Sequence, residues 1–499
     1  MSPLTKEQKI DKKKTQKLII FIVLVILFLV GFLIRFFPLR TGFHYWDETV
    51  YLQHAEIISG TRPIDNYNEF NIRPPLISLL ISLISLLGHN LIMAHLAISL
   101  FSALGIIFIF FLGKEIFNKK IALLASFFYT FLPLSIVLSH DILVDTILPT
   151  FWILTFLFTF KTIKNKKVTP AILTGVFLGL SILLKFSSII LLPFIFIIFF
   201  IEYLSYNKDK KTKKRIFSSF LNILKNKKFW LIIISTIIIL SPYLVWETIY
   251  FDNPVYSIVR GFLVIEGDAT SFLTYLSEFN KLFPYVLLAG LVFLFLAKFK
   301  NKTSTAETCL LLTTIIFFFL MCLISHKEIR YLMPLTPMLV LLSAKGFFDF
   351  LGFFKSRYLK VLLLVILVFV SVIYSVNITR SINTNLLNVN VLIINEENSL
   401  TETGAWLNIN LPANATIYAN TQYALIAYYS NRKVEVLPFW RSFQNNLTEV
   451  MDKEGYYVLF ENVPREPTFE FVQKDPRFRF IKEFNSEGDR ILVYRYDPN

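Results

Sequence analysis

Two adjacent carboxylates, Asp47 and Glu48, lie a few residues beyond the first long apolar run, in the stretch FHYWDETVYLQHAEIISG. Aromatic residues surround them, and Trp46 and Tyr51 are residue types that favour a membrane–water interface. Ionisable groups near a bilayer are energetically unfavourable unless they are paired or hydrated, and they commonly mark functional sites. The acidic pair is therefore our first candidate for chemistry at the membrane edge.

Further charged residues occur at three other places in the chain, each beside an apolar run. Asp141 and Asp145 stand one helical turn apart in SHDILVDTILPTFW, and Lys185 separates two apolar runs. The stretch SHKEIRYLMPLTPML adds His326, Lys327, Glu328, Arg330 and Tyr331. Each charge alone could be an ordinary polar loop residue, and a lysine can simply extend to the interface. Their grouping at the ends of apolar runs favours a shared function.

Membrane helices must position these residues. The 499 residues are 55% hydrophobic and 16% aromatic, a composition that indicates a polytopic membrane protein and not a soluble globular one. A span needs roughly 20 apolar residues, and we find about eleven such runs. They cover approximately 18–37, 91–113, 119–139, 142–161, 170–184, 188–205, 229–247, 281–299, 308–325, 331–350 and 359–376. Two shorter segments, WDETVYLQHAEIISG and the run after the proline pair in NIRPPLISLLISLISLLGHN, predict interfacial or re-entrant helices.

The basic residues predict the orientation. The net charge is +15, and the lysines and arginines cluster in alternate loops. Cytoplasmic loops carry such an excess, so we predict a multi-pass protein of the cell membrane with a cytoplasmic amino terminus. The loops 38–90 and 248–280, the turn near 140–145, and everything after about 377 are then external. Nucleic-acid binding is not indicated, because the basic segments serve as topology signals.

The pattern changes near residue 381, where the apolar runs shorten to the length of strands. These runs are ATIYAN, ALIAYYS, KVEVLP, YYVLFEN and RILVYRY. The stretch LTETGAWLNINL predicts an amphipathic helix capped at Thr401. We therefore predict two domains, a transmembrane domain over 1–376 and a small external α/β domain over 381–499.

The order of these motifs resembles that of the membrane glycosyltransferases of the C-type fold. A first span, WDE, RPPL, an aspartate between the third and fourth spans, and RYLMPLTPML follow one another. The similarity is greatest to the branch with the protein O-mannosyltransferases and the lipid A aminoarabinose transferases, and it covers 1–376. It implies that a sugar, mannose in some relatives, moves from a dolichyl- or undecaprenyl-type phosphate to a protein, glycan or lipid acceptor at the external face.

The resemblance also implies roles for single residues. Asp47 matches the catalytic base, Glu48 matches its acidic neighbour, and Asp145 matches the aspartate that opens the fourth span. The residues matched to the donor phosphate are Arg73, Lys185, Arg330 and Tyr331, and the secondary candidates are Glu69, Asp141 and His326. Some relatives have an acidic residue directly before the basic residue and proline pair, where this chain has Ile72.

These acidic and basic residues suit the transfer of a sugar from a lipid phosphate. An acceptor hydroxyl is a poor nucleophile, so a positioned carboxylate must take its proton, and direct displacement inverts the sugar carbon. The leaving phosphate needs nearby cations and no general acid. A divalent ion is left open, because His44 and His140 lie close in sequence to aspartates and would suit zinc or manganese.

The rival interpretation is a multi-span transporter or lipid-linked-sugar flippase without transferase activity. Transporters tend to place charges near the midplane and to repeat one half of the fold in the other. In this sequence the charges lie at the predicted external ends, and no repeat is visible. A third interpretation is a membrane scaffold whose carboxy-terminal tail binds a partner.

Overall fold

A computed structural model describes residues 6–37, 43, 45–63, 73–88, 91–206, 212–263, 271–277, 279–298, 304–324, 326–388, 399–419, 421–437, 451, 453–460, 469–486 and 489–498. The helices before the sheet are α1 Lys6–Phe36, α2 Trp46–Ser59, α3 Leu76–Ser85, α4 Leu91–Ile116, α5 Lys119–Thr130, α6 Pro133–Leu138, α7 Val144–Lys164, α8 Thr169–Leu184, α9 Leu191–Tyr206, α10 Thr212–Leu224, α11 Lys227–Phe251, α12 Tyr256–Leu263, α13 Thr274–Ser277, α14 Phe279–Leu282, α15 Tyr285–Lys298, α16 Thr305–Leu323, α17 Thr336–Gly352 and α18 Arg357–Asn388. Short 3₁₀ helices, Phe186–Ile190 and Ile329–Leu335, precede α9 and α17.

The apolar runs form helices, as predicted. Within the described ranges, eight helices are long and apolar enough to cross a membrane. Three shorter apolar helices accompany them, and these are Leu76–Ser85, Thr169–Leu184 and Tyr285–Ala297. The prediction of a polytopic helical membrane protein is therefore confirmed, while the number of spans stays a prediction.

The third predicted run, 119–139, is not one continuous helix. It breaks between α5 and α6, where Pro133 opens the second piece. The carbonyls of Tyr129 and Thr130 are left without helical partners at this break, and the fully buried guanidinium of Arg35 donates to both, at 3.0 and 3.1 Å. The break is stabilised because Arg35 supplies the donors that the helix can no longer provide.

Helices α15 and α17 pack at unusually short range, which two glycines permit. A Cβ atom on Gly346 would lie 1.8 Å from the carbonyl oxygen of Gly290. Small residues allow this approach between membrane helices. Ser343 adds a hydrogen bond across the same contact, since its hydroxyl donates to the carbonyl of Leu287 at 2.8 Å.

The chain divides into two compact units. The helical unit comprises Met1–Pro38 and His95–Leu386, and the sheet unit comprises Leu39–Ala94 and Leu387–Asn499. The segment with the acidic pair therefore groups with the carboxy-terminal part of the chain. Helix α18 continues to Asn388, beyond the predicted start of the tail at 381. The division into domains 1–376 and 381–499 stays a prediction.

The sheet unit contains a five-stranded mixed sheet, so the predicted α/β domain is confirmed. Its further elements are α19 Ser399–Asn410, β1 Thr416–Ala419, α20 Tyr423–Ser430, β2 Glu435–Val436, β3 Gly455–Phe460, α21 Phe469–Lys474, β4 Phe478–Ser486 and β5 Asp489–Tyr496. The strand order is β2-β1-β3-β5-β4. Strands β1, β2 and β3 pair in parallel, and β5 pairs antiparallel with both β3 and β4.

Two local predictions for this unit are wrong. The stretch ALIAYYS, expected as a strand, lies in α20, because a short apolar run alone cannot distinguish a strand from a buried helix. Thr401 is not a cap, since α19 already begins at Ser399. The sequence also missed β4, an edge strand whose alternating charges hide its apolar residues.

Helix α2, which carries the acidic pair, is packed into the sheet unit. Every residue from Asp47 to Ala55 is buried. Ser78 of α3 donates to the carbonyl of Tyr51 at 3.0 Å, and Gln53 donates to the carbonyl of Ala424 in α20 at 3.0 Å. Of the two aromatic residues suited to an interface, Tyr51 is buried in the protein, whereas Trp46 is exposed.

Candidate functional site

The sheet unit pairs Asp47 with Arg73. A terminal nitrogen of Arg73 donates to Asp47 Oδ1 at 3.3 Å, and the guanidinium carbon lies 5.0 Å from the ring centroid of Trp46. Asp47 stands in the first turn of α2, and Arg73 precedes the prolines before α3. Burial alone would lower the pKa of Arg73, but Asp47 and then Tyr51 outweigh it and raise this pKa. Arg73 is therefore a charged guanidinium at neutral pH.

Glu48 has a local structural role. Its Oε1 atom accepts a hydrogen bond from the backbone N–H of Tyr45 at 2.9 Å, and the side chain is buried. A glutamate three residues after the N-cap commonly satisfies the free N–H at a helix start in this way. Glu48 thus fixes the first turn of α2, which also carries Asp47.

Two more residues of the sheet unit surround this ion pair. The Tyr423 ring lies 5.8 Å from the Trp46 ring, and burial raises the Tyr423 pKa while Arg73 opposes the rise. Burial, together with the smaller effect of the Arg73 charge, lowers the pKa of His54 to about 3. Sequence analysis missed Tyr423, because it is 376 positions from Asp47 in a segment that was expected to be a strand.

The helical unit brings together three of the predicted residues. Lys185 Nζ donates to Asp145 Oδ1 at 2.7 Å, and Arg330 Nη1 lies 3.9 Å from Asp145 Oδ2. Asp145 opens α7, Lys185 ends α8, and Arg330 lies in the 3₁₀ helix before α17. The predicted grouping of these three residues is present in the structure, and their functional roles remain predictions.

Glu328 connects the remaining residues of this cluster. Its carboxylate accepts from Arg330 Nε at 2.5 Å and Nη2 at 3.2 Å, and from the Tyr331 hydroxyl at 3.0 Å. His326 Nε2 is 3.0 Å from the same carboxylate. Lys185 Nζ stands 4.5 Å from the Tyr331 ring centroid. Glu328 was not among the site residues predicted from the sequence. Its position between the candidates His326 and Arg330 could have indicated that it belongs to the same site.

Burial and charge act against each other on Glu328. Burial alone would raise its pKa, but Arg330, assisted by the hydrogen bonds from His326 and Tyr331, lowers the pKa to about 2. Glu328 is consequently an anion at neutral pH. The cluster therefore balances two carboxylates, those of Asp145 and Glu328, against the cations of Lys185 and Arg330.

The other predicted residues are placed as follows. His140 Nε2 is 3.1 Å from the carbonyl of Ile34, and Asp141 is buried in the same turn before α7. His44 and Glu69 lie outside the described residues. Among the residues that the structure describes, no group of three or more His, Cys, Asp or Glu side chains could hold a metal ion.

Comparison with known proteins supports the resemblance drawn from the motifs. Residues 72–246, which include Arg73, Asp145 and Lys185, match the sequence model of the dolichyl-phosphate-mannose-protein mannosyltransferase family. No curated protein sequence matches the chain. Of the cluster in the helical unit, which also contains His326, Glu328, Arg330 and Tyr331, the family match includes Asp145 and Lys185.

Two solved structures show the fold. ArnT from Cupriavidus metallidurans, bound to undecaprenyl phosphate, is 13% identical, with 96% of this chain and 98% of that chain covered and a TM-score of 0.64. The oligosaccharyltransferase AglB from Archaeoglobus fulgidus, in complex with an inhibitory peptide and a dolichol-phosphate, is also 13% identical, with 89% and 69% covered and a TM-score of 0.62. The predicted C-type fold is confirmed, and the family match together with this fold indicates a glycosyltransferase.

Proposed function

We propose that this protein transfers a sugar from a polyprenyl-phosphate donor to an acceptor hydroxyl at the external membrane face, with inversion at the sugar carbon. The family whose model matches residues 72–246 is named for a dolichyl-phosphate-mannose donor and a protein acceptor. ArnT and AglB have each been solved with a polyprenyl phosphate bound. Both of these bound ligands contain the lipid phosphate that this proposal requires.

The observation that carries the proposal is the pairing of acidic and basic side chains in both units. Asp47 is held by Arg73, and Asp145 is held by Lys185 and approached by Arg330. Cations of this kind stabilise the charge that develops on a leaving phosphate. Arginine is especially suited, because its planar donors match phosphate oxygens.

The ion pair with Arg73 suggests how Asp47 becomes a base. A carboxylate bonded to a guanidinium is a weak proton acceptor, because the pairing favours its charged form. The donor phosphate competes with Asp47 for Arg73, and Asp47 is then released to the acceptor hydroxyl. The acceptor oxygen bonds to the sugar carbon, the bond from that carbon to the phosphate oxygen breaks, and Asp47 takes the hydroxyl proton. The polyprenyl phosphate leaves with the bonding electron pair.

The direct test is incubation of the purified protein with a panel of polyprenyl-phosphate sugars and candidate acceptors. The panel should include dolichyl and undecaprenyl carriers with mannose and with aminoarabinose. We expect free polyprenyl phosphate to appear together with a glycosylated acceptor, in equal amounts. Parallel reactions with a chelator test whether a divalent ion takes part, and Asp47→Asn protein serves as the inactive control.

A different result would favour the rival function. The protein can be reconstituted into vesicles that carry a labelled lipid-linked sugar in one leaflet. Movement of the intact molecule to the other leaflet, with no release of polyprenyl phosphate under any condition, would identify a flippase and contradict the transferase proposal.

A further inference from the structure

We infer that Glu328 is a positioning residue that holds Arg330 and Tyr331, and through Tyr331 also Lys185, in the arrangement that receives the donor phosphate. This inference rests on the proposed function. Glu328 itself would not touch the donor. It would act by fixing where the cations of the helical-unit cluster stand.

The geometry uses the whole carboxylate. Four donors reach its two oxygens: Arg330 Nε and Nη2, the Tyr331 hydroxyl and His326 Nε2. Three of these donors reach Oε1 and Arg330 Nε reaches Oε2, and an ionised carboxylate, which only accepts, can take them all. A glutamine at this position would replace one acceptor oxygen by an NH₂ donor facing other donors. Only an anion satisfies all three neighbours, and the low pKa of Glu328 agrees with this requirement.

The bonds to Glu328 restrain Arg330 in one orientation. The Nε and Nη2 atoms lie on one edge of the guanidinium, and Glu328 occupies that edge. The remaining terminal nitrogen, Nη1, is 3.9 Å from Asp145 Oδ2, beyond ordinary hydrogen-bond range. The contact with Glu328 thus holds the Nη1 side of the guanidinium towards Asp145.

A second path runs through Tyr331 to Lys185. The Tyr331 hydroxyl is fixed on Glu328, and this places the ring 4.5 Å from Lys185 Nζ. A cation over an aromatic face is attracted to it, and Lys185 also donates to Asp145 at 2.7 Å. Tyr331 and Asp145 thus restrain one ammonium group from two sides. Loss of the Glu328 contact would free the ring and weaken one of these restraints.

The test measures binding of polyprenyl phosphate to purified variants in nanodiscs. Glu328→Gln should weaken binding by about 10-fold, the range expected when charge-assisted hydrogen bonds are lost. Glu328→Asp keeps the charge on a shorter side chain and should restore part of the affinity. Glu115→Gln is the matched control, because Glu115 of α4 forms an ion pair with Lys164 at 3.2 Å in the same unit and takes no part in the cluster.

A double-mutant cycle separates positioning from a merely structural role. If Glu328 acts in part through Arg330, then Glu328→Gln should cost clearly less affinity when added to Arg330→Ala than it does in the parent, since coupled residues are not additive. Full additivity, or unchanged affinity in Glu328→Gln alone, would contradict the inference. Thermal unfolding of each variant verifies that the protein is folded.

Tyr331→Phe provides a second measurement if Glu328→Gln does not fold. It removes one hydrogen bond to Glu328 and keeps the ring beside Lys185, and we expect affinity to fall by about 2- to 10-fold. Equal affinity in Tyr331→Phe and the parent would contradict the path through Tyr331. A parent protein that binds no polyprenyl phosphate would contradict the proposed function and this inference together, whereas a parent that binds and variants that bind equally well would contradict the inference alone.

Discussion

The two candidate aspartates are held in different ways. The side chain of Asp47 is 12% exposed and contacts the guanidinium of Arg73, while that of Asp145 is 3% exposed and lies between Lys185 and Arg330. A general base must be reached by the acceptor. The more accessible Asp47 therefore suits proton transfer, and the enclosed Asp145 suits the ordering of cations.

Asp47→Asn should abolish most of the transfer activity. Asparagine keeps the size and hydrogen bonding of the side chain but cannot take a proton, and a base commonly contributes about 10²–10⁴-fold. Donor binding should not fall, because the variant removes the anion that competes with the donor phosphate for Arg73. Steady-state transfer rates and a donor-binding assay measure the two effects separately.

Glu48→Gln is the comparison for this variant. Because Glu48 caps Tyr45 at the start of α2, we expect a smaller loss of activity and some loss of thermal stability. Full activity in Asp47→Asn combined with none in Asp145→Asn would move the base to the start of α7.

Arg73→Ala should weaken donor binding by about 10- to 100-fold. The loss of one charge-assisted contact in a partly buried site corresponds to roughly 1.5–3 kcal/mol. Isothermal or fluorescence titration with polyprenyl phosphate measures the change, and Arg479→Ala, at an exposed position of β4, is the control. Unchanged affinity in Arg73→Ala would remove this residue from the donor site.

His54 should make the protein less stable as the pH falls below 6.5. Burial lowers its pKa from 6.5 to about 3 in the folded protein, so the unfolded chain takes up the proton first. The free energy of unfolding should therefore fall by about 2 kcal/mol between pH 7 and pH 5 because of His54.

Thermal unfolding across this pH range tests the effect, and His54→Gln should show a flatter profile than the parent. The same slope in both proteins would show that another group is responsible. Glu328 cannot produce it, because its pKa of about 2 lies below the range. The stabilisation that Glu328 contributes is complete above the ordinary pKa of 4.5 and is lost progressively as the pH falls from 4.5 to about 2.

At the scale of the elements, hydrogen bonds from Arg62 connect the end of α2 to the end of α20. Arg62, just after α2, donates to the carbonyls of Ala427 and Tyr428 near the end of α20, at 3.1 and 3.2 Å. It also bonds Glu56 at 2.8 Å. The last carbonyls of a helix need such donors, so one arginine closes α20 and fixes it to the helix that carries Asp47.

Arg62→Ala should lower the free energy of unfolding by about 1–3 kcal/mol, because it leaves buried carbonyls without donors. Chemical or thermal denaturation of the purified protein measures this loss. We also expect reduced transfer activity, since α2 would no longer be held firmly. Stability equal to that of the parent would show that the Arg62 contacts do not hold the two helices together.

At the scale of the whole molecule, the prediction is the topology. The lysines and arginines in alternate loops indicate a cytoplasmic amino terminus and an external tail over 381–499. Protease added to right-side-out vesicles should remove this tail, and detergent should not be required. A protected tail would reverse the orientation and place both carboxylate clusters on the cytoplasmic side.

The sequence alone determined the class of protein and most of its helices. Long apolar runs can satisfy their backbone in a membrane only as helices, so the periodic and compositional signals were sufficient. The motifs also located Asp47, Arg73, Asp145, Lys185 and Arg330. These residues stand at the ends of apolar runs, where a charge is conspicuous against its surroundings.

Only the tertiary structure decided which residues meet. Nothing local in the sequence pairs Asp47 with Arg73, 26 positions away, or Asp145 with Lys185, 40 positions away. The helix assignment of α20, the break between α5 and α6, and the contacts of Glu328 depended on packing and on the hydrogen-bond requirements of buried groups. Those requirements arise from neighbours that are distant in the chain, and propensity and periodicity carry no information about such neighbours.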